Sequence, residues 1–442
     1  MSLMRSALVW GLRYGLPGTA IRLAARRGEL IARSSVDPAA LDDPARLYAQ
    51  LRALGPVAAN PMVSASAHHG VVNQILRHSG FVADPGAAPT RLLNRVLAAA
   101  IDPRALGPVD IPSLLAIQPP QHTRIRKLVT HAFTPRAVAG YADRIADIAN
   151  GLLNQVDPST GAFDLINDYA AQLPVAVIAD IVGIPVDVHQ DLLRIGNDAA
   201  LTLDPALSWR EYRAADRAIR EGNALLDRRI AEVRRNPGDD LLSQLVRVSA
   251  DGDRLSDEEL RANTLLLIGA GFETTVNLIG NAVALLLDHP DQLAGLLANP
   301  DGWDNAVEEV LRYDSPVQLT LRIAAEHVQI SGAWIRAGRP VILMLGAANR
   351  DPSVFEDPDT FNVARASAHQ HLAFSAGIHY CLGSQLARLE AKIALRTLFT
   401  RFPTLALNAR PTRRSTRVLR GYKSLPVTTR TSPLGTTGPK YR

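Results

Sequence analysis

The sequence predicts a mainly α-helical fold with a small β region, and two features of the 442-residue chain lead to this prediction. Apolar residues recur at three- and four-residue spacing through much of residues 36–315, which is the period of amphipathic helices. Around residues 317–347, short β-rich runs are divided by Ser331-Gly332 and by Gly338–Pro340, which are hairpin signals. Helical spacing returns after Cys381. We therefore expect one large helical domain with a small sheet inserted late in the chain.

Composition excludes several classes of protein. A hydrophobic content of 47% and a charged content of 21% are ordinary for a soluble globular protein. The single cysteine, Cys381, rules out a disulfide framework within the chain and favours the cytoplasm. The net charge of +5 is small and appears spread along the chain, so it does not indicate nucleic-acid binding.

The two ends of the chain differ from its middle. Arginines interrupt the apolar runs of residues 1–35, so no stretch reaches the roughly 20 residues of a membrane-spanning helix. The apolar core of a signal peptide would be broken at Arg13. We expect an N-terminal arm here, and a weak contact with a membrane surface stays open as the alternative. Residues 36–428 then form the single domain, and residues 429–442 a flexible tail with little to bury.

The stretch LSDEELRANTLLLIGAGFETTVNLIGNAVALLLDHP has two interpretations. It imitates a dinucleotide-binding strand and glycine turn, but Thr274 stands where the third glycine belongs, and the room for a crossover helix is too short. Ser256 and Glu259 instead match a capping box, which starts a helix well before the glycines. We therefore predict one continuous, mostly buried helix from about Ser256 to Asp288.

Within this helix, AGFETT is a poor sequence for a buried helical turn. Gly271 weakens the helix by roughly 1 kcal/mol relative to alanine. The Thr274 hydroxyl can bond the carbonyl of Ala270, and a buried Glu273 needs a partner, water or a proton. Two interpretations remain open from the residues alone. One is a kink with a satisfied carboxylate, and the other is a groove for a small polar ligand beside groups that relay protons.

The stretch FSAGIHYCLG contains the only thiol. Most lone cysteines are small buried hydrophobes. A nucleophilic role needs a base that His379 is badly placed to supply, and zinc needs further ligands that the sequence lacks. A metal-bound thiolate fits better, because Gly377 and Gly383 let backbone approach the sulfur and a helix is expected to start at Cys381. One thiolate without other protein ligands is the proximal arrangement of haem-thiolate iron.

A third motif is Glu309-x-x-Arg312, a one-turn pair on one helix face. Taken alone, such a pair is usually solvated and contributes well under 1 kcal/mol. The position of the pair, just before the predicted sheet, is more informative than its spacing.

The three motifs together resemble the cytochrome P450 family over residues 36–428. Phe374-x-x-Gly377-x-His379-x-Cys381-x-Gly383 resembles its haem-binding loop, AGFETT its oxygen-binding helix, and the glutamate–arginine pair that of its K helix. The resemblance implies the family's triangular helical prism around haem b, which is iron protoporphyrin IX.

The resemblance also implies a role for each matching residue. Cys381 would be the axial thiolate and metal ligand, and Glu273 and Thr274 would deliver protons. Glu309 and Arg312 would be structural; the family often closes their network with an arginine where this chain has Thr360, and Arg365 is the candidate substitute. The haem propionates would be held by His122, Arg126, Arg322 and His379. The remaining haem contacts would come from Ala270, Gly271, Phe374, Gly377 and Gly383. The substrate pocket would include Leu267, Phe272, Val317 and Leu321.

The implied activity is a monooxygenase that inserts one atom of O2 into a hydrophobic small molecule. Electrons would come from a separate ferredoxin and ferredoxin reductase, because the chain has no flavin or iron–sulfur motif. Arg388, Lys392 and Arg396 recur at four-residue spacing and, with Lys127, suggest a basic docking face, although a solvated helix face explains them equally well. Two alternatives on the same fold are a haem-thiolate sensor without turnover and an isomerase or dehydratase. Glu273 and Thr274 argue against both.

Overall fold

The computed structural model of the chain describes residues 3–37, 43–84, 102, 106–107, 109–157, 161–247 and 255–429. Most of the predicted C-terminal tail, residues 430–442, lies outside the described residues. The predicted fold class, mainly α with a small β region, is confirmed.

Helices account for most of the described chain. In chain order the α-helices described are α1 (Leu3–Trp10), α2 (Leu16–Arg26), α3 (Leu30–Val36), α4 (Ala45–Ala53), α5 (His69–Arg77), α6 (Gln121–Thr130), α7 (Pro135–Ala139), α8 (Ala142–Leu153), α9 (Gln172–Val182), α10 (His189–Ala200), α11 (Trp209–Arg235), α12 (Leu241–Arg247), α13 (Asp257–Asp288), α14 (Pro290–Ala298), α15 (Trp303–Tyr313), α16 (Leu345–Ala348) and α17 (Ser384–Arg401). Two π-helical turns, Gly11–Gly15 and Leu165–Ala170, precede α2 and α9.

Within the described residues, the β region consists of short strands in four small sheets. The strands are β1 (Ala58–Ala59), β2 (Ser64–Ser66), β3 (Phe81–Val82), β4 (Ala162–Asp164), β5 (Thr320–Ala324), β6 (Val328–Ile330), β7 (Ala333–Ile335), β8 (Pro340–Leu343), β9 (Ala406–Leu407), β10 (Thr412–Arg413), β11 (Tyr422–Ser424) and β12 (Pro426–Thr428). The largest sheet has the order β1-β2-β8-β5-β3, with β2 and β8 parallel. The predicted hairpin at Ser331-Gly332 joins β6 to β7, and both residues have positive φ (46° and 82°), as a two-residue primed turn requires.

Helix α13 runs through the core, as the sequence predicts. The Ser256 hydroxyl accepts from the backbone N–H of Glu259, whose carboxylate accepts from the backbone N–H of Ser256. This reciprocal capping box supplies partners for N–H groups that a helix start leaves unpaired. The 32 residues that follow extend about 48 Å and pack against α9, α10 and α17. The dinucleotide-binding alternative is therefore wrong.

In the part of the chain that the structure describes, two stretches have the length and composition of membrane-spanning helices, residues 165–182 and α13. In each, about 70% of the most apolar window is buried inside the protein (72% and 67%). Such burial is the property of core helices, which pass the same composition test as membrane spans.

The predicted N-terminal arm is helical and packed against the body. Its Val9 and Tyr14 form an apolar cluster with Leu207 and Tyr212, and Trp10 Nε1 donates to the Leu207 carbonyl at 3.0 Å. These contacts attach α1 and the π-helical turn after it to the connection between α10 and α11 and to the first turn of α11.

Candidate haem-thiolate site

The thiol of Cys381 lies in a loop that supplies it with hydrogen-bond donors. The Cys381 N–H donates to the Phe374 carbonyl at 3.0 Å, which closes the loop, and the Gly383 N–H donates to the sulfur. Burial raises the pKa of the thiol, while the Gly383 bond and the positive charges of Arg126 and Arg388 oppose that rise. The described surroundings of the sulfur therefore include several groups that stabilise a thiolate.

Two details of this loop differ from the expectation. Helix α17 begins at Ser384, with Gly383 as its N-cap, rather than at Cys381, so the sulfur precedes the first turn. Gly377 does not serve mainly to let backbone approach the sulfur. It has φ of +71°, and a Cβ there would lie 2.4 Å from the Leu76 carbonyl oxygen. Gly377 is thus required by the packing of the loop on the end of α5.

Four predicted propionate ligands, His122, Arg126, Arg322 and His379, converge beside this loop. The rings of His122 and His379 are 4.6 Å apart, and Arg126 Nη2 donates to the Tyr380 carbonyl at 2.8 Å. Arg322 is 5% exposed and donates only to Thr320 Oγ1 and the Leu321 carbonyl among the described groups. We call these four residues the cation cluster.

No carboxylate of the described residues pairs with the cation cluster, and the pKa values reflect this. Burial lowers the pKa of Arg322 to about 10. Burial, followed by the charges of Arg322, His122 and Arg126, lowers the pKa of His379 to about 3. A buried cation such as Arg322 is costly without a counter-ion, so the cluster fits a ligand that carries its own carboxylates, whose charge would also favour protonation of the two histidines. The two propionates of haem meet that requirement, and the cluster therefore fits the cofactor.

This charge imbalance gives a prediction for Arg322. Replacing Arg322 by leucine is expected to speed haem loss about 10- to 100-fold, because a charge-assisted bond to a propionate is removed. The apoprotein is expected to be as stable as the unsubstituted one or more so, because an unpaired buried charge also disappears. Haem transfer to excess apomyoglobin and thermal unfolding of the apoprotein measure the two effects. Arg336→Leu, an exposed position before β8, is the control. An unchanged rate of haem loss would contradict the assignment.

The AGFETT turn combines a helix hydroxyl with a buried acid. Thr274 Oγ1 donates to the Ala270 carbonyl at 2.9 Å, as predicted. Ala270 itself is exposed in the middle of a core helix, which indicates open space against this face of α13. Gly271 was predicted as a haem contact, but the position of its missing side chain faces α9. A Cβ there would lie 2.9 Å from Cγ1 of Ile178. Its missing side chain therefore allows α9 to approach closely.

Glu273 has a partner that the sequence did not reveal. Its Oε1 lies 2.7 Å from Nη1 of Arg414, and the Asn277 side chain lies close to the carboxylate, whose Oε2 makes no hydrogen bond of normal geometry among the described residues. Burial raises the pKa of Glu273, and the charge of Arg414 lowers it in part. Arg414 also donates to Asn197 Oδ1 at 3.1 Å and to the Tyr422 carbonyl. No motif marks Arg414, because only the fold brings the C-terminal strands to α13.

The pair Glu309–Arg312 is fully buried, unlike most one-turn ion pairs. Both side chains are 0% exposed, and two parallel bonds of 2.7 and 2.8 Å join them. The third partner is Arg365, whose Nε lies 3.3 Å from the Glu309 carboxylate. Thr360 contributes only its carbonyl, which accepts from Arg312 and Arg365. The network ties α15 to the segment that leads toward the thiol loop.

The predicted pocket residues divide into two groups. Leu267, Val317 and Leu321 are partly exposed, with Leu321 at 43%, as residues beside an open cavity would be. The prediction for Phe272 was wrong in this structure. Its ring is 0% exposed, and a Cβ on Gly196 would meet the ring at 2.1 Å. Phe272 therefore fills the core between α13 and α10.

The predicted basic docking face is partly neutralised. Arg388 pairs with Glu308 and lies over the Phe374 ring at 4.5 Å, and Lys392 Nζ lies 2.8 Å from Asp304. Arg388 and His371 together lower the pKa of Glu308 to about 2 despite its burial. Half of the four predicted cations are thus paired within the protein.

Comparison with known proteins agrees with this geometry. A family model described as Cytochrome P450 matches residues 113–299 and 303–422. A protein of Mycobacterium tuberculosis named Putative cytochrome P450 140 is 42% identical over 432 residues, covering 96% of this chain and 98% of that protein. The 6-deoxyerythronolide B hydroxylase of Saccharopolyspora erythraea is 44% identical over 314 residues, covering 70% and 76%. A myxobacterial cytochrome P450 solved with myristic acid has a TM-score of 0.82 and 32% identity, covering 90% of this chain and 100% of that one.

The fold and the site define a haem-thiolate protein. The chain belongs to the cytochrome P450 family, whose members are generally monooxygenases.

Proposed function

We propose that the protein is a cytoplasmic haem-thiolate monooxygenase that inserts one atom of O2 into a hydrophobic small molecule by hydroxylation or epoxidation. The cofactor would be haem b with Cys381 as its axial ligand, and a separate ferredoxin with its reductase would supply electrons. For a hydroxylation, R–H, O2, two electrons and two protons give R–OH and water. The observation that carries the proposal is a cysteine sulfur that accepts an N–H donor beside a cation cluster with which no carboxylate of the described residues pairs.

Each part of the site has a task that its own chemistry supports. When bound, haem supplies the iron at which O2 is activated, and a thiolate ligand favours cleavage of the O–O bond. The cation cluster holds the propionates and thereby orients the cofactor. Glu273 is buried and its Oε2 makes no hydrogen bond of normal geometry among the described residues, so it can take a proton and pass it toward the Thr274 hydroxyl.

Turnover is favoured over the alternatives by this acid and hydroxyl. A sensor or binding protein has no need of a proton relay, yet the chain keeps Glu273 buried beside Arg414 at a cost in desolvation. An isomerase or dehydratase that takes no protons through Glu273 would likewise have no need of a carboxylate buried at a cost in desolvation.

A hydrophobic substrate is supported by the relatives and by the pocket residues. One relative is named 6-deoxyerythronolide B hydroxylase and another Vitamin D(3) 25-hydroxylase, and solved neighbours hold testosterone or myristic acid. In this chain the pocket candidates Leu267, Val317 and Leu321 are aliphatic. We therefore propose an apolar substrate of lipid, terpenoid, steroid or polyketide type.

Reduction under carbon monoxide tests the proposal directly. The reduced protein is expected to show the strongly red-shifted Soret band of thiolate ligation, and Cys381→Ser is expected to abolish it, because a serine oxygen is a poor thiolate substitute. Ser384→Ala, three residues on, is the matched control and should keep the band. A wild-type protein that binds haem without the band would refute thiolate ligation.

A further inference from the structure

The helical segment of residues 3–26 has an apolar face that no described residue covers. Within α1 the exposed residues are Leu3, Met4, Ala7 and Leu8, and within α2 they include Leu16, Thr19, Ala20 and Leu23. They recur at three- and four-residue spacing, so each half of the segment presents an apolar face outward. Met4 is 84% exposed and Leu16 is 68% exposed.

The opposite face attaches this segment firmly to the body. The Trp10 and Trp209 rings are 5.5 Å apart, and Tyr14 lies 5.8 Å from Tyr212. Arg13 pairs with Asp110 at 2.9 Å. Because these contacts use the inner face, the outer leucines cannot be accommodated in the core without breaking them.

Exposed apolar side chains are concentrated in this segment. It holds five of the fifteen exposed large hydrophobic residues in the described chain, within 21 positions. Single exposed leucines are normal on protein surfaces, whereas a row of them along one helix marks an interaction surface.

The charged residues of the segment are all basic. Residues 1–28 contain five arginines and no aspartate or glutamate. The whole chain has 48 basic and 43 acidic residues, so residues 29–442 have 43 of each, and the net charge of +5 resides in residues 1–28. The expectation of a surplus spread along the chain was therefore wrong. Arg22, Arg26 and Arg27 are exposed.

We propose that residues 3–26 dock the protein on the surface of an anionic lipid bilayer. The segment is about 36 Å long and would lie in the plane of the interface, with its leucines among the acyl chains and its arginines at the headgroups. An anionic bilayer suits both properties, because it takes up an apolar face and attracts a purely basic one. The inference is independent of the haem chemistry proposed above.

Vesicle sedimentation with the full-length protein tests the apolar face. The protein is expected to sediment with phosphatidylcholine vesicles that contain about 30% phosphatidylglycerol, and Leu8→Glu/Leu16→Glu should weaken this binding at least about 10-fold. The matched control is Leu54→Glu/Trp334→Glu, which adds the same charge at positions of equal exposure, 48% and 70% against 46% and 68%. Circular dichroism confirms that each variant is folded.

A second pair of variants tests the charge. Arg26→Gln/Arg27→Gln is expected to weaken binding to the anionic vesicles about 25-fold, from roughly 1 kcal/mol for each arginine at an anionic surface. Arg228→Gln/Arg410→Gln, at exposed positions elsewhere, should change it far less. Absence of wild-type binding, or equal weakening by the control pairs, would overturn the proposal. A wild-type dimer that Leu8→Glu/Leu16→Glu dissociates, without vesicle binding, would overturn it too and assign the face to a second copy.

Discussion

Replacing Arg312 by methionine is expected to lower the free energy of unfolding by about 3–5 kcal/mol. Arg312 and Glu309 are both 0% exposed, so the variant leaves a buried carboxylate whose remaining contacts are the 3.3 Å pair with Arg365 and the backbone N–H of Asn362 at 2.9 Å. Arg312 also donates to the carbonyls of Asn349 and Pro358 at 3.0 and 2.8 Å. These acceptors lose their donor at the same time, which adds to the cost.

Denaturant unfolding of the apoprotein measures this effect. The control is Lys392→Met, whose pair with Asp304 is largely exposed and should contribute within about 1 kcal/mol. Glu309→Gln/Arg312→Met should recover part of the loss, because the buried carboxylate that lost its main counter-ion is then neutral, while Arg365 keeps its bonds to the carbonyls of Asp357 and Thr360. Equal destabilisation by Arg312→Met and Lys392→Met would show that burial does not decide the strength of the pair.

Replacing Glu273 by glutamine is expected to lower the turnover number about 100-fold, the usual contribution of a positioned proton donor. Glutamine has nearly the same shape but cannot take up and release a proton. Glu258→Gln, on the exposed first turn of the same helix, is the matched control. Turnover is measured with a substrate identified by spectral shift, together with the electrons consumed for each product formed. Normal turnover by Glu273→Gln would exclude the carboxylate from the relay.

The dependence of the free energy of unfolding on pH gives a second measurement that concerns Glu273. Burial raises the folded-state pKa of Glu273 above its ordinary value of 4.5, so protonation favours the folded state. The stability associated with this group is fully present below pH 4.5 and is lost as pH rises to the folded-state pKa. Arg414→Met should raise the folded-state pKa of Glu273 further, because the charge of Arg414 lowers it. The loss of stability should then continue to a higher pH. The Glu273→Gln/Arg414→Met variant should lack this contribution, and a curve for Arg414→Met identical to wild type would rule out the coupling.

Local patterns predicted most of the fold and the centre of the site. The capping box at Ser256 fixed the start of α13, because its two hydrogen bonds form between residues three apart. The hairpin at Ser331-Gly332 was equally visible, since its positive φ angles suit those residues. The loop around Cys381 carried enough of its motif to indicate haem-thiolate ligation. In each case the determining contacts lie within a few residues of one another.

What the patterns missed depends on residues that are distant along the chain. Arg414 meets Glu273 only because the C-terminal strands fold back on α13, and Arg388 is neutralised only because α15 brings Glu308 beside it. Phe272 turned out to be a core residue because α10 offers Gly196 at that point.

The sequence of this protein therefore determined the helices, the hairpin and the loop that holds the single thiol, because short-range hydrogen bonds and periodicity specify them. The tertiary structure alone decided which charges are paired, which face of residues 3–26 is left uncovered, and that Glu309 and Arg312 are shielded from water. Burial and long-range pairing depend on how whole elements pack, and side-chain identity at one position does not encode that packing.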